Sequence, residues 1–149
     1  MFKSFFKNKE TKKVDVLIDD KAFSLACLLV EAAMVDETFG EDEKKVINKI
    51  LKKNFDITDD KKLTEIIDKA YKNYHESSDL ISHTKIIKEN WSLKDRTEVI
   101  EMLWKVCLVD GVLEPYEDMI IRRVSGLIYV DDKNRQLAKN NAMKKISKV

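Results

Sequence analysis

The sequence predicts an all-α protein: one compact domain of about seven helices, built from two pseudo-equivalent helix–acidic turn–helix halves. Three observations lead there. The 149 residues include only three Gly and one Pro, too few turn formers for a sheet protein, while Lys, Glu, Asp, Leu and Ile dominate and favour helices. Apolar residues recur at three- and four-residue spacing in run after run, which is helical periodicity. The chain also repeats itself. Shifted by 74 residues, Val35, Asp36, Glu43 and Ile47 fall on Val109, Asp110, Glu117 and Ile121. Phe39, Lys49, Ile50 and Phe55 fall on Leu113, Arg123, Val124 and Tyr129.

Composition narrows the class further. With 37% charged and 44% hydrophobic residues the chain suits a folded globule rather than a disordered segment. Its formal net charge of +1 gives no overall bias toward nucleic acid, and none is expected as a partner. No apolar run approaches the ~18 residues of a membrane span. Cys27 and Cys107 sit inside apolar helical runs and read as small buried hydrophobes of a reducing compartment, so a cytoplasmic location is expected.

Residues 1–19 read as a tail and lead-in, and residues 20–149 as the helical domain. Residues 1–13 carry five lysines against one Glu, with Phe2, Phe5 and Phe6 interleaved. The lysines interrupt any secretory h-region. Such a stretch is either a frayed basic tail or a peripheral foot on the anionic inner face of a membrane.

Helix one is expected from about Asp20 to Val35, capped by Asp19 or Asp20. Phe23, Ala26, Cys27, Val30, Ala33 and Met34 form its inner face, and Leu25, Leu28 and Leu29 widen it almost all round, which marks a central helix. Helix two, about 41–54, carries Val46, Ile47, Ile50 and Leu51 inward. Helix three, about 59–75, is capped by Thr58 or Asp59 and turns Leu63, Ile66, Ile67, Ala70 and Tyr74 inward. Helix four, about 79–90, follows a break at Ser77-Ser78-Asp79 and is anchored by Leu80, Ile81, Ile86 and Ile87. Ser92-Leu93-Lys94-Asp95 resembles a capping box and opens helix five, about 93–109, with Val99, Met102, Leu103, Val106, Cys107 and Trp104 buried. Helix six takes Pro115 in its first turn, where a missing N–H costs nothing. It reaches about Tyr129 with Met119, Ile120, Val124 and Leu127 inward. Asp131 caps helix seven, about 132–147, which is polar and expected to fray. Helices one and five should form the central pair.

The two acidic turns are the candidate site. The turn after helix five has the residues of half a calcium loop, with Asp110, Gly111, Leu113, Glu114 and Glu117 at loop positions 5, 6, 8, 9 and 12. Positions 1 and 3 would then be Val106 and Leu108, and in the turn after helix one Ala32 and Met34. None of these binds a hard cation, so neither turn is an EF-hand by itself. Two half-sites can still combine. Asp36, Glu43, Asp110 and Glu117, brought together about a pseudo-twofold axis, would suit Ca²⁺, Mg²⁺ or Mn²⁺, which prefer oxygen donors. The alternative is structural. The aspartates would serve the turn backbone, and the glutamates, in first helical turns, would favour the helix dipole. Both readings stay open on the residues alone.

Three stretches together carry a resemblance. They are Leu-Val-Glu-Ala-Ala-Met-Val-Asp at 29–36, Ser-Ser-Asp-Leu at 77–80, and Leu-Trp-Lys-Val-Cys-Leu-Val-Asp-Gly-Val-Leu-Glu-Pro-Tyr-Glu at 103–117. With Arg122-Arg123-Val124 and Leu127 they resemble the TerB family of tellurite-resistance-type proteins, over roughly residues 20–145. The resemblance implies an all-helical fold and a divalent metal at Asp36, Glu43, Asp110 and Glu117. It also implies a role in chemical-stress or metal-linked responses through a protein or membrane partner, with no defined reaction. The family pattern places Gly after the first Asp, where this chain has Glu37. That departure weakens the first half-site relative to the other.

The remaining chemistry-bearing residues point to no catalytic centre. His75 and His83 lie near no Cys, so a zinc site is not expected. No Gly-rich phosphate loop occurs. A metal-dependent hydrolase would need a base beside the carboxylates, and none is visible. The lysine runs at 44–53 and 144–148 read as solvated helix faces.

Overall fold

Residues 11–33 form one uninterrupted helix, α1 (Thr11–Ala33), in the computed structural model of the chain. The structure describes residues 11–36, 39–76, 80–109 and 114–147, with side chains from Lys21 onward except those of Asp36 and residues 146 and 147. The segment 14–19, expected as a lead-in, is therefore helical. Asp19 and Asp20 lie inside α1 and do not cap it. The physical reason is the absence of any Gly or Pro from 11 to 33: aspartate is a weak helix former, not a breaker. Residues 1–10, which hold most of the basic, Phe-bearing stretch, lie outside the described residues.

A 3₁₀ turn, Met34–Asp36, ends α1, and six further α-helices follow among the described residues. They are α2 (Glu41–Phe55), α3 (Asp60–Glu76), α4 (Leu80–Asn90), α5 (Leu93–Cys107), α6 (Pro115–Leu127) and α7 (Asp132–Ser147). Every described element is helical, as the composition predicts. Side chains start several of them. The Lys61 N–H donates to Asp59 Oδ1 at 3.0 Å, the Asp95 N–H to Ser92 Oγ at 3.2 Å, and the Asn134 N–H to Asp131 Oδ1 at 2.9 Å. Each satisfies a first-turn donor that has no partner within its helix.

α1 is the hub, packing on α2, α3, α4, α5 and α6. Leu25, Leu28 and Leu29 are exposed by 1% or less, and burying each side chain contributes roughly 1.5–3 kcal/mol. α5 is the other hub, with Val99, Ile100, Met102, Leu103, Trp104, Val106 and Cys107 all buried. Under the exchange of α1 for α5, α2 for α6 and α3 for α7, three of the packing pairs correspond, while the packing of α2 on α3 has no comparable counterpart between α6 and α7 among the described residues. α1 packs on α3 as α5 packs on α7, α1 on α2 as α5 on α6, and α2 on α5 as α6 on α1. α4 stands outside the exchange and packs on α1 and α6. α2 starts at Glu41 and α6 at Pro115, while α1 ends at Ala33 and α5 at Cys107; both pairs keep the 74-residue offset.

Three expectations need correction. Met119 is 58% exposed, and the buried face of α6 is Glu117, Ile121, Val124 and Ser125. The Ile120-Ile121 doublet offers two faces, and the one containing the capping glutamate is the one buried. Ile81 is 61% exposed, and His83 and Thr84 fill that side of α4 instead. α7 does not behave as a loose tail. It packs along α5, with Ala138 and Ala142 buried and Lys145 Nζ 2.7 Å from Glu101 Oε2. Alanine is small enough to let two helices approach closely, so a docked face built on it reads as polar in sequence.

Candidate functional site at the acidic turns

Both acidic turns lead into a helix whose third residue is glutamate, and both glutamates fold back. The Gly40 N–H donates to Glu43 Oε2 at the start of α2. The Glu114 N–H donates to Glu117 Oε1 at 2.9 Å at the start of α6. This is the returning half of a capping box, in which the side chain at the third helical position accepts from the N-cap backbone. Gly40 and Glu114 are both extended, at φ −80° and −82°, so neither needs the left-handed region. Pro115 occupies the first position of α6, as expected.

The two carboxylates differ in surroundings. Glu117 is only 6% exposed, on the face of α6 turned to the core. Glu43 is half-buried beside an exposed Gly40. Charge on either is stabilised by the N-terminal end of its own helix dipole. Arg122 pairs with Asp118 at 3.6 Å.

Of the four residues singled out in sequence, the structure places two side chains. Asp36 closes the 3₁₀ turn after α1, with its side chain outside the description. Asp110 and Glu37 lie outside the described residues. α2 and α6 both pack on α1 and α5, so the two glutamates enter from helices set on the same central pair. Their donor chemistry suits a hard cation. A carboxylate offers about four lone-pair sites, and a cap takes one. Among the described residues no three His, Cys, Asp or Glu side chains gather as a metal site.

The two glutamates that return the caps are among the four residues singled out in sequence, and the alternative in which the acids cap helices names this role. Gly40-x-x-Glu43 and Glu114-x-x-Glu117 carry capping spacing. Sequence reasoning missed Arg96. That guanidinium donates to Trp91 O at 3.1 Å, Ile128 O at 2.7 Å and Tyr129 O at 3.2 Å, tying the ends of α4 and α6 to the start of α5.

The other polar groups are structural in placement. His83 Nε2 lies 3.1 Å from Asn73 Oδ1, and its ring meets Phe23 edge-on at 5.6 Å. Cys27 Sγ lies 3.9 Å from the same Asn73 oxygen. Burial, aided by the nearby Glu31 charge, pushes the Cys27 thiol up to about 12. A thiol held there is protonated and a poor nucleophile. His75 is exposed against Tyr71 and Tyr74. No helix among the described residues is long and apolar enough to cross a membrane.

A family model described as tellurite resistance protein TerB matches residues 22–140. No curated protein matches the chain, and no solved structure does.

Proposed function

The chain belongs to the TerB family, and from that premise we propose that it is a noncatalytic module that binds a divalent cation at its two acidic turns and acts through a protein or membrane partner. The response it serves is of the chemical-stress or tellurite-resistance type. Asp36 and Glu43 supply the donors of one turn, and Asp110 and Glu117 those of the other. Ca²⁺, Mg²⁺ and Mn²⁺ are the ions such oxygen donors favour. The protein works in the cytoplasm, and residues 1–13 give it a peripheral contact with the inner membrane face.

One observation carries this reading. Glu43 and Glu117, at the same place in the 74-residue repeat, are each fixed at the mouth of an acidic turn by a backbone N–H. A capped carboxylate keeps lone pairs for a cation and loses little rotamer freedom when one binds. Calorimetric titration of the chelator-stripped protein with each ion tests the proposal. Saturable heat that disappears in Asp110→Asn supports it. No heat from any ion removes it.

The same hydrogen bonds also favour an alternative, in which the acids only cap helices and the module recognises its partner without metal. Then Glu117→Gln lowers stability equally in chelator and in saturating Ca²⁺. Under the metal reading, Ca²⁺ raises the stability of the parent protein and not that of the variant.

A further inference from the structure

A cluster of lysines lines a groove of about 360 Å³ between α2, α5 and the end of α7. Its floor is apolar, formed by Val46, Ile50 and Met102, and Lys49, Lys53, Lys105 and Lys145 stand around it with Glu98 and Glu101. The lysines outnumber the glutamates by two. Glu101 is already shared, with Lys145 Nζ at 2.7 Å and Lys105 Nζ at 3.2 Å. Lys49 and Lys53 form no ion pair among the described residues. Burial depresses the Lys105 ammonium; Glu101 opposes that depression, and the Lys145 and Lys53 charges add to it. Lys49 and Lys53 of one lysine run and Lys145 near the end of the chain, far apart in sequence, thus meet Lys105 at one place.

Such a groove makes two demands on an occupant. The excess charge asks for about two negative charges, which a phosphate monoester carries near neutral pH. Lysine suits phosphate as a point charge. The apolar floor asks for a nonpolar body beside the phosphate. The volume lies near the lower end of the range of small-molecule sites, ~300–1,000 Å³. We propose that the groove between α2, α5 and α7 binds a small organic phosphate monoester, with Lys49, Lys53, Lys105 and Lys145 on the phosphate and Val46, Ile50 and Met102 under its apolar body. This site is separate from the acidic turns and stands whether or not they hold a cation.

Amide chemical shifts of the full chain, titrated with phenyl phosphate, inorganic phosphate, phenol and hexaglutamate, test it. Phenyl phosphate is expected to shift residues 49–54 and 102–105 saturably. It should bind about fivefold tighter than inorganic phosphate, because its ring covers the floor. Phenol should shift nothing there. Lys49 and Lys53 are exposed, so the double variant Lys49→Gln/Lys53→Gln keeps its fold, which an unchanged melting curve verifies, and weakens phenyl phosphate by about tenfold. The proposal is overturned if the double variant binds as tightly as the parent, or if inorganic phosphate matches phenyl phosphate. Binding of hexaglutamate at least as tight as phenyl phosphate overturns it as well, since the groove would then be a docking strip for acidic peptides.

Discussion

Glu117→Ala removes the acceptor that closes the start of α6. The lost contact is a charge-assisted hydrogen bond of 2.9 Å to the Glu114 N–H, from a side chain only 6% exposed. Bonds to a charged group contribute about 1.5–3 kcal/mol, and favourable interaction with the helix dipole adds about 0.3–1 kcal/mol. Water can reach the exposed Glu114 and recovers part of this, so the net loss is set at about 2–3 kcal/mol. For a domain of this size that lowers Tm by roughly 5–10 °C. Glu43→Ala breaks the equivalent bond at an exposed N-cap, where losses are about 0.5–1 kcal/mol, or roughly 1–4 °C. Calorimetric unfolding of both variants in chelator measures the contrast. Equal losses, or a loss below about 1 kcal/mol for Glu117→Ala, would refute the argument that burial makes the Glu117 cap the stronger one.

Three further outcomes follow from the packing. Arg96→Ala should cost about 2–3 kcal/mol in urea unfolding by freeing three carbonyls, and Arg96→Lys should recover less than half, because one ammonium cannot reproduce the guanidinium fork. Burial alone would raise the Glu101 carboxyl, but the hydrogen bonds from Lys145 and Lys105 outweigh it and hold the group below its usual range. A depressed carboxyl contributes stability above its unfolded pKa and loses it as pH falls through the folded one. Glu101→Gln should therefore cost about 1–2 kcal/mol at pH 7, and the gap to the parent should close below about pH 4.5. Cys27, held up to about 12 and buried, should resist iodoacetamide at pH 8 in the native protein and react once it is unfolded in urea.

The helices were legible wherever large apolar residues repeat on one face. Leu63, Ile66, Ile67 and Ala70 mark α3, and all are buried. Legibility failed where the deciding partner is distant in the chain. Lys145 meets Glu101 across 44 residues, and Arg96 reaches Ile128 across 32; no local pattern encodes either. It failed again where small residues make the contact, as Ala138 and Ala142 do, and where two adjacent isoleucines left the face of α6 open. At the acidic turns the spacing of Glu43 and Glu117 was readable as first-turn acid. Its return to the N-cap backbone becomes visible only with the helix start fixed.

The most direct test of the central claim locates the ion. Substoichiometric Mn²⁺ added to isotope-labelled, chelator-stripped protein broadens the amide signals nearest to where it binds. The acidic-turn account predicts that residues 40–43 and 114–117 fade first and recover when Ca²⁺ is added in excess. Broadening spread over exposed acids such as Asp59, Asp60 and Asp132, with these two segments left sharp, would contradict it.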